Sequence, residues 1–204
     1  PAWVTGPIPA APPKDRLFTP TGLAQGLAHA LPGDVEDGAE ALARGEAMHL
    51  LLDHLPPLPQ DAWADAATQL LPDASPEDRA AWLAEAVGVL TALPLAHLFE
   101  AGTLAEVAIS GALNGAPLIG RIDRLRVTPG LVEAFDFKTN RVVPQRPQEV
   151  PRGLRVQMAA YWEALRQAFP EHRVEVALVW TQSREIMVLP HDMLREARQS
   201  VPTS

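Results

Sequence analysis

Gly120-Arg-Ile-Asp123 and, twelve residues on, Phe135-Asp136-Phe137-Lys138-Thr139 set two carboxylates and an ammonium on segments that read as neighbouring strands. Carboxylates are hard oxygen ligands suited to Mg2+ or Mn2+. A cation held there neutralises a phosphate and activates a water, while a positive group stands where charge develops. The chemistry implied is metal-assisted hydrolysis of a phosphodiester. Asp136 and Lys138 are two residues apart, so strand alternation puts both on one face and turns Phe137 toward the core on the other. On this reading Asp123 and Asp136 converge on one ion, Lys138 orients the water or steadies the phosphate, and the Phe137 carbonyl is a further candidate ligand. Usage singles out Lys138 as well: fifteen of the seventeen basic residues are Arg, and the other Lys is Lys14. A compact ammonium is what a chain that otherwise chooses Arg needs here.

Two more groups accompany these. Gly45-Glu-Ala-Met-His49 places an imidazole on the first long helical pattern, and Gln157-Met-Ala-Ala-Tyr161 puts an amide and the chain's single phenol one helical turn apart. Taken alone, Asp-x-Lys reads as a surface ion pair at a strand end, His49 as a core histidine and Tyr161 as a packed phenol. Their joint occurrence favours chemistry. His54, His97, His172 and His191 have no comparable company. Trp63, Trp82, Trp162 and Trp180 read as core or interface anchors, and Trp3 as a residue that packs on a neighbouring domain.

The elements that must position these groups follow from periodicity and breakers. Residues 1–35 are rich in Pro, Ala and Gly and read as a linker or tail, followed by a domain over 36–204. Helical spacing runs from about Val35 to His54, where Pro56 and Pro57 follow, and two further helices cover about Asp61 to Leu71 and Pro76 to Leu93. The last opens on Ser75-Pro-Glu-Asp, a cap, a first-turn proline and two acids that complement the dipole. From Gly102 the pattern changes to strands: Thr103–Ser110, a hairpin signal at Asn114-Gly115, Pro117–Val127, a turn at Thr128-Pro-Gly, and Leu131–Lys138. Three strands with short turns predict an antiparallel meander. A Pro- and Arg-rich loop, a helix over Leu154–Phe169, strands over Val174–Trp180 and Glu185–Leu189, and a helix over His191–Gln199 complete the chain. The fold class expected is α/β or α+β, a central mixed sheet flanked by helices.

Length suits one domain plus an appendage. With no cysteine among the 204 residues, disulfides, Cys-based zinc sites and iron–sulfur clusters are excluded. No apolar run reaches membrane-spanning length and the N-terminus shows no secretory pattern, so the expectation is a cytoplasmic protein without a membrane partner. A net charge of −8 argues against nucleic acid as partner. The charge is uneven, however: residues 120–160 carry eight basic and four acidic side chains. Arg121, Arg124, Arg141, Arg146, Arg152 and Arg155 are candidates for salt-sensitive contacts to phosphates.

In order along the chain, Gly-x-x-x-His, Gly-x-x-Asp, Asp-x-Lys-Thr and Gln-x-x-x-Tyr resemble the motifs of the RecB-like branch of the PD-(D/E)XK nucleases, over roughly Gly45 to Leu189. Arg44-Gly-Glu-Ala-Met-His-Leu-Leu-Leu-Asp-His-Leu-Pro56 and Ala105-Glu-Val-Ala-Ile-Ser110 resemble the nuclease domain of AddA-type double-strand-break repair helicase–nucleases. The resemblance implies a restriction-endonuclease-like core and a Mg2+- or Mn2+-dependent deoxyribonuclease. It implies His49, Asp123 and Asp136 as metal ligands and Lys138 as the catalytic lysine, with Gln157 and Tyr161 positioning DNA or bracing the site. Glu106 carries over either as support for the metal's surroundings or as the end of a hydrogen-bond network. Implied partners are DNA, as single-stranded ends, a helicase portion of the same polypeptide and an AddB-type subunit. AddB and Cas4 relatives hold an iron–sulfur cluster with four cysteines, which this chain lacks. It also lacks a Gly-x-x-x-x-Gly-Lys-Ser/Thr loop, so no ATP hydrolysis is expected, and the Pro-rich start favours an excised domain. The competing expectations are a catalytically silent DNA-binding or docking domain of this fold and a phosphohydrolase of small nucleotides.

Overall fold

Breakers and caps divide the first half of the chain into helices. The computed structural model describes residues 18–24 and 38–201. α1 (Pro20–Ala24) is followed by α2 (Gly38–His54), α3 (Trp63–Leu70) and α4 (Pro76–Leu90). The Ser75 side chain accepts the Asp78 amide at 3.0 Å and Pro76 opens the first turn of α4. Such a cap contributes about 1 kcal/mol. The helix expected to reach Leu93 stops at Leu90, and Leu93–Leu98 forms a separate 3-10 segment with Pro94 in its first turn. Proline has no amide hydrogen to continue the preceding ladder. Residues 35–37, where the first long helix was expected to begin, lie outside the described residues, as do Trp3, Lys14 and most of the Pro-rich stretch. Phe18, within that stretch, is buried, and exchanges backbone hydrogen bonds of 2.8 and 2.9 Å with Pro117 and Ile119.

The strands form one sheet in sequence order. β1 (Thr103–Leu113), β2 (Ala116–Thr128) and β3 (Leu131–Lys138) make the antiparallel meander, turned at Asn114-Gly115 and at Gly130, where φ is positive. α5 (Arg152–Ala168) then crosses over to β4 (Arg173–Trp180), which runs parallel to β3. β5 (Glu185–Val188) pairs antiparallel with β4, and α6 (His191–Gln199) closes the fold. The result is the mixed, helix-flanked sheet expected from the sequence.

Alternation along β3 sorts the two cores. Val132 and Ala134 join Leu154, Met158, Leu165, Val176 and Leu178 on the α5 side. Phe135 and Phe137 join Met48, Leu51, Leu52, Val89 and Val179 on the side of α2 and α4. Burying each phenyl ring is worth about 2 kcal/mol. That anchorage turns Asp136 and Lys138 toward α5.

Candidate active site

Three strands bring three carboxylates into one row. The β2–β3 register ends at Arg124 opposite Phe135, so one step further sets Asp123 opposite Asp136. The β1–β2 register passes from Ala105–Arg124 to Val107–Ile122, which sets Glu106 opposite Asp123. Neither of these two steps is a regular backbone pair. Glu106 has φ of 50°, a conformation uncommon for a side-chain-bearing residue and one that re-aims its carboxylate. Asp123 turns its own side chain to β3, where Oδ2 accepts the Phe137 amide at 2.7 Å.

His49 reaches this row from α2. Its Nδ1 stands 3.5 Å from Asp123 Oδ1. One ligand atom from each of His49, Glu106 and Asp123 lies within 4.8 Å of the others, a spacing that could hold a metal ion. The Asp136 carboxylate has different company: Oδ1 accepts from Gln157 Nε2 at 3.0 Å, and Oδ2 pairs with the Lys138 ammonium. Lys138 Nζ also donates to Gln157 Oε1 at 3.2 Å. Tyr161 donates its hydroxyl hydrogen to the Arg121 carbonyl at 2.6 Å, which leaves its oxygen 3.4 Å from Gln157 Nε2 as an acceptor. The Gln157 amide is therefore oriented from three directions, and Gln157 and Tyr161 brace the Asp136–Lys138 pair.

Electrostatics matches this division. Burial pushes the Asp123 carboxyl well above the usual carboxylate range, and the neighbouring Asp136 pushes it further; Lys138 and the Phe137 amide oppose them without prevailing. Burial lowers the His49 imidazole, with Lys138 adding to the effect against the pull of Asp136 and Glu106. A neutral imidazole is the form that ligates a metal. Burial and Asp136 raise the Tyr161 phenol.

His49, Asp123, Asp136, Lys138, Gln157 and Tyr161 thus gather near the end of β3, in two sets that meet at Asp123. The Phe137 ring is buried, stacked on Phe99 with centroids 6.2 Å apart, while its backbone contributes the amide to Asp123. Glu106, the weakest of the sequence candidates, stands with His49 and Asp123. Arg124, expected among the phosphate-binding arginines, is instead buried. Its guanidinium donates to the Leu52 carbonyl and lies 5.1 Å over the Phe99 ring, so it ties β2 to α2. Gly120 of Gly-x-x-Asp has a packing role, since an added Cβ would stand 2.7 Å from the Pro20 ring and 3.4 Å from Tyr161. Arg44 and Glu85, passed over in the sequence, lie behind Lys138; the signal for Arg44 was its place directly before the Gly-x-x-x-His run.

A family model matches most of the chain. The model of the PD-(D/E)XK nuclease superfamily matches residues 24–201, and the chain belongs to that superfamily. Among solved structures, an exonuclease candidate from Eubacterium rectale resembles it at a TM-score of 0.52 and 17% sequence identity over 81% of this chain. At that identity the likeness is one of fold, and the chain spans 65% of that protein's length, under two thirds. A second structure, SSO0001, is 11% identical at a TM-score of 0.37, over 94% of this chain and 77% of that one. No curated protein matches the chain at a significant level. No helix among the described residues is long and apolar enough to cross a membrane.

Proposed function

We propose that the chain hydrolyses DNA phosphodiesters with Mg2+ or Mn2+, as the nuclease module of an AddA-type double-strand-break repair helicase–nuclease. In that setting it takes single-stranded ends delivered by a helicase portion of the same polypeptide, beside an AddB-type subunit. The observation that carries the nuclease reading is the meeting at Asp123 of a ligand set, His49 and Glu106, with a braced Asp136–Lys138 pair. The helicase context is supported by the two sequence runs Arg44–Pro56 and Ala105–Ser110 alone.

The donor set fits a hard divalent cation: two carboxylates and a neutral imidazole, with the Asp136 carboxylate and the Phe137 carbonyl as further ligands that the motif suggests. Burial and, after it, the neighbouring Asp136 carboxylate raise Asp123, and a cation bound there would favour the ionised form. Once bound, the cation supplies charge neutralisation at the phosphate and a more acidic water. The chain's own residues do the rest. Lys138 presents an ammonium beside Asp136 and Gln157, where it orients the attacking water or balances charge developing on the phosphate. Gln157 accepts from that ammonium and donates to the Asp136 carboxylate, and Tyr161 fixes which way the Gln157 amide faces. His49 keeps an unprotonated nitrogen at neutral pH.

The test is incubation of purified protein with labelled linear single-stranded DNA in Mg2+ or Mn2+, with EDTA and free mononucleotides as comparisons. Metal-dependent degradation of the strand is expected. Turnover of mononucleotides with the strand left intact would replace this reading with a small-nucleotide phosphohydrolase, and binding without cleavage would favour a silent docking domain.

A further inference from the structure

We propose that Arg44, Glu85 and Thr181 form a largely buried clamp that positions Lys138 relative to the helix that carries His49. β3 ends at Lys138, and beyond it the next residues belong to no strand. The backbone there is held by other means. Arg44 of α2, only 5% exposed, donates from Nη1 to the Thr139 carbonyl at 2.6 Å. Its Nε and Nη2 fork onto the Glu85 carboxylate of α4 at 3.2, 3.0 and 2.9 Å. The fully buried Thr181 gives its amide to the Lys138 carbonyl at 3.0 Å. The Thr181 hydroxyl faces both that carbonyl, at 3.2 Å, and Glu85, at 2.5 Å. The carbonyls of Lys138 and Thr139 are thereby fixed to α2, α4 and the start of the β4–β5 turn.

Arg44 and His49 share α2, five residues apart, which is about 7.5 Å of helix rise. One guanidinium therefore ties the helix that carries His49 to the strand end that carries Lys138. A buried ion pair is weak evidence for stability as such, because desolvation offsets the attraction. What a planar fork with five donors adds is a fixed geometry among three elements, which a lysine at the same place does not reproduce. These are positioning residues: they act on the reaction through the placement of Lys138.

The kinetic arm of the test rests on the nuclease reading above; a second arm does not. Lys14 and Lys138 are the only lysines, so 13C-lysine labelling gives two side-chain signals, and Lys138→Ala assigns them. Arg44→Lys, Glu85→Gln and the near-isosteric Thr181→Val are each compared with wild type. Expected are a shifted Lys138 signal with Lys14 unmoved, kcat lowered roughly tenfold to a hundredfold, and KM for DNA and Mn2+ affinity within about twofold of wild type. A folded Thr181→Val or Glu85→Gln protein whose Lys138 signal stays in place, or whose kcat is unchanged, overturns the clamp. If wild type cleaves nothing, the nuclease reading has failed and the lysine signals alone decide: movement in the variants upholds the clamp, and immobility rejects it.

Discussion

Asp123 Oδ2 accepts the Phe137 amide at 2.7 Å, where a continued ladder would place the Ile122 carbonyl of β2. A side chain thus substitutes for a backbone acceptor at the last step of the meander. The regular β2–β3 pairing stops at Arg124 opposite Phe135, and His49 and Glu106 flank the buried Asp123 carboxylate beyond it. The amide favours the ionised form of Asp123, but burial and the charge of Asp136 outweigh it.

Asp123→Asn should therefore stabilise the metal-free protein. A carboxyl whose folded value is raised binds its proton more tightly when folded. The stability that proton contributes is present below the ordinary value of 3.8 and is lost as pH rises through the raised value. In EDTA, wild-type Tm should fall from about pH 4 toward neutrality, and Asp123→Asn, which still accepts the Phe137 amide, should lose that part of the slope. A gain of about 1 kcal/mol would appear as roughly 2–4 °C in a domain of this size. Mn2+ should raise the Tm of wild type and leave the variant unchanged. A variant less stable than wild type in EDTA at neutral pH would contradict this account of the site.

Lys138→Ala should lower cleavage by on the order of a hundredfold to a thousandfold while retaining the Mn2+-dependent rise in Tm, because its ammonium contacts Asp136 and Gln157 and is no metal ligand. Asp136→Ala should lose cleavage and weaken metal binding together. Lys138→Arg should rescue little, since a planar guanidinium does not reproduce the compact ammonium's contacts to Asp136 and Gln157. Wild-type rates from Lys138→Ala would remove it from the mechanism.

How much of this was legible depends on the range of the interactions. Spacing of two placed Asp136 and Lys138 together, and short turns joined β1 to β3, because these are local consequences of chain geometry. The helix over His191–Gln199 and the Ser75 cap were legible for the same reason. Which strand β4 would join was not, since a crossover leaves no turn signal at the strand it joins. Arg124 looked like a surface cation until Leu52 and Phe99, distant in sequence, enclosed it. The clamp behind Lys138 joins Arg44 to residues 41 and 95 positions away, and no periodicity reports such a contact. Glu106 needed the register to place it opposite Asp123, and its positive φ is legible only in the fold.

Tyr161 offers a probe without labels. It is the only tyrosine, and burial with the nearby Asp136 charge raises its phenol. Ultraviolet titration should show no phenolate through the ordinary tyrosine range until alkaline unfolding releases it all at once. Tyr161→Phe removes the bond to the Arg121 carbonyl and frees the Gln157 amide, at a cost of about 1 kcal/mol in stability. Cleavage should fall roughly tenfold with KM for DNA little changed. Ionisation of the folded protein with an unperturbed phenol would show that the brace is solvent-accessible.

DNA binding by the isolated chain should be weak and strongly salt-dependent. The whole chain carries −8, which repels a polyanion, so attraction must come from the local basic stretch. Of its arginines, Arg124 is enclosed, Arg121 pairs with Glu106 and Arg146 with Glu149, each with its guanidinium largely exposed. Such exposed pairs are worth little and exchange readily for phosphate. Arg152 is exposed on the first turn of α5, the helix that carries Gln157. If about four phosphates are contacted, raising salt from 50 to 200 mM should weaken binding to single-stranded DNA roughly fiftyfold. Arg152→Ala should flatten the slope of log affinity against log salt by about 0.7, one phosphate's share, whereas Arg124→Lys should leave the slope unchanged and lower Tm. Fluorescence anisotropy with a labelled oligonucleotide at several salt concentrations measures both. Tight binding indifferent to salt would mean that the strand is held by base contacts in a closed pocket and not along a basic edge.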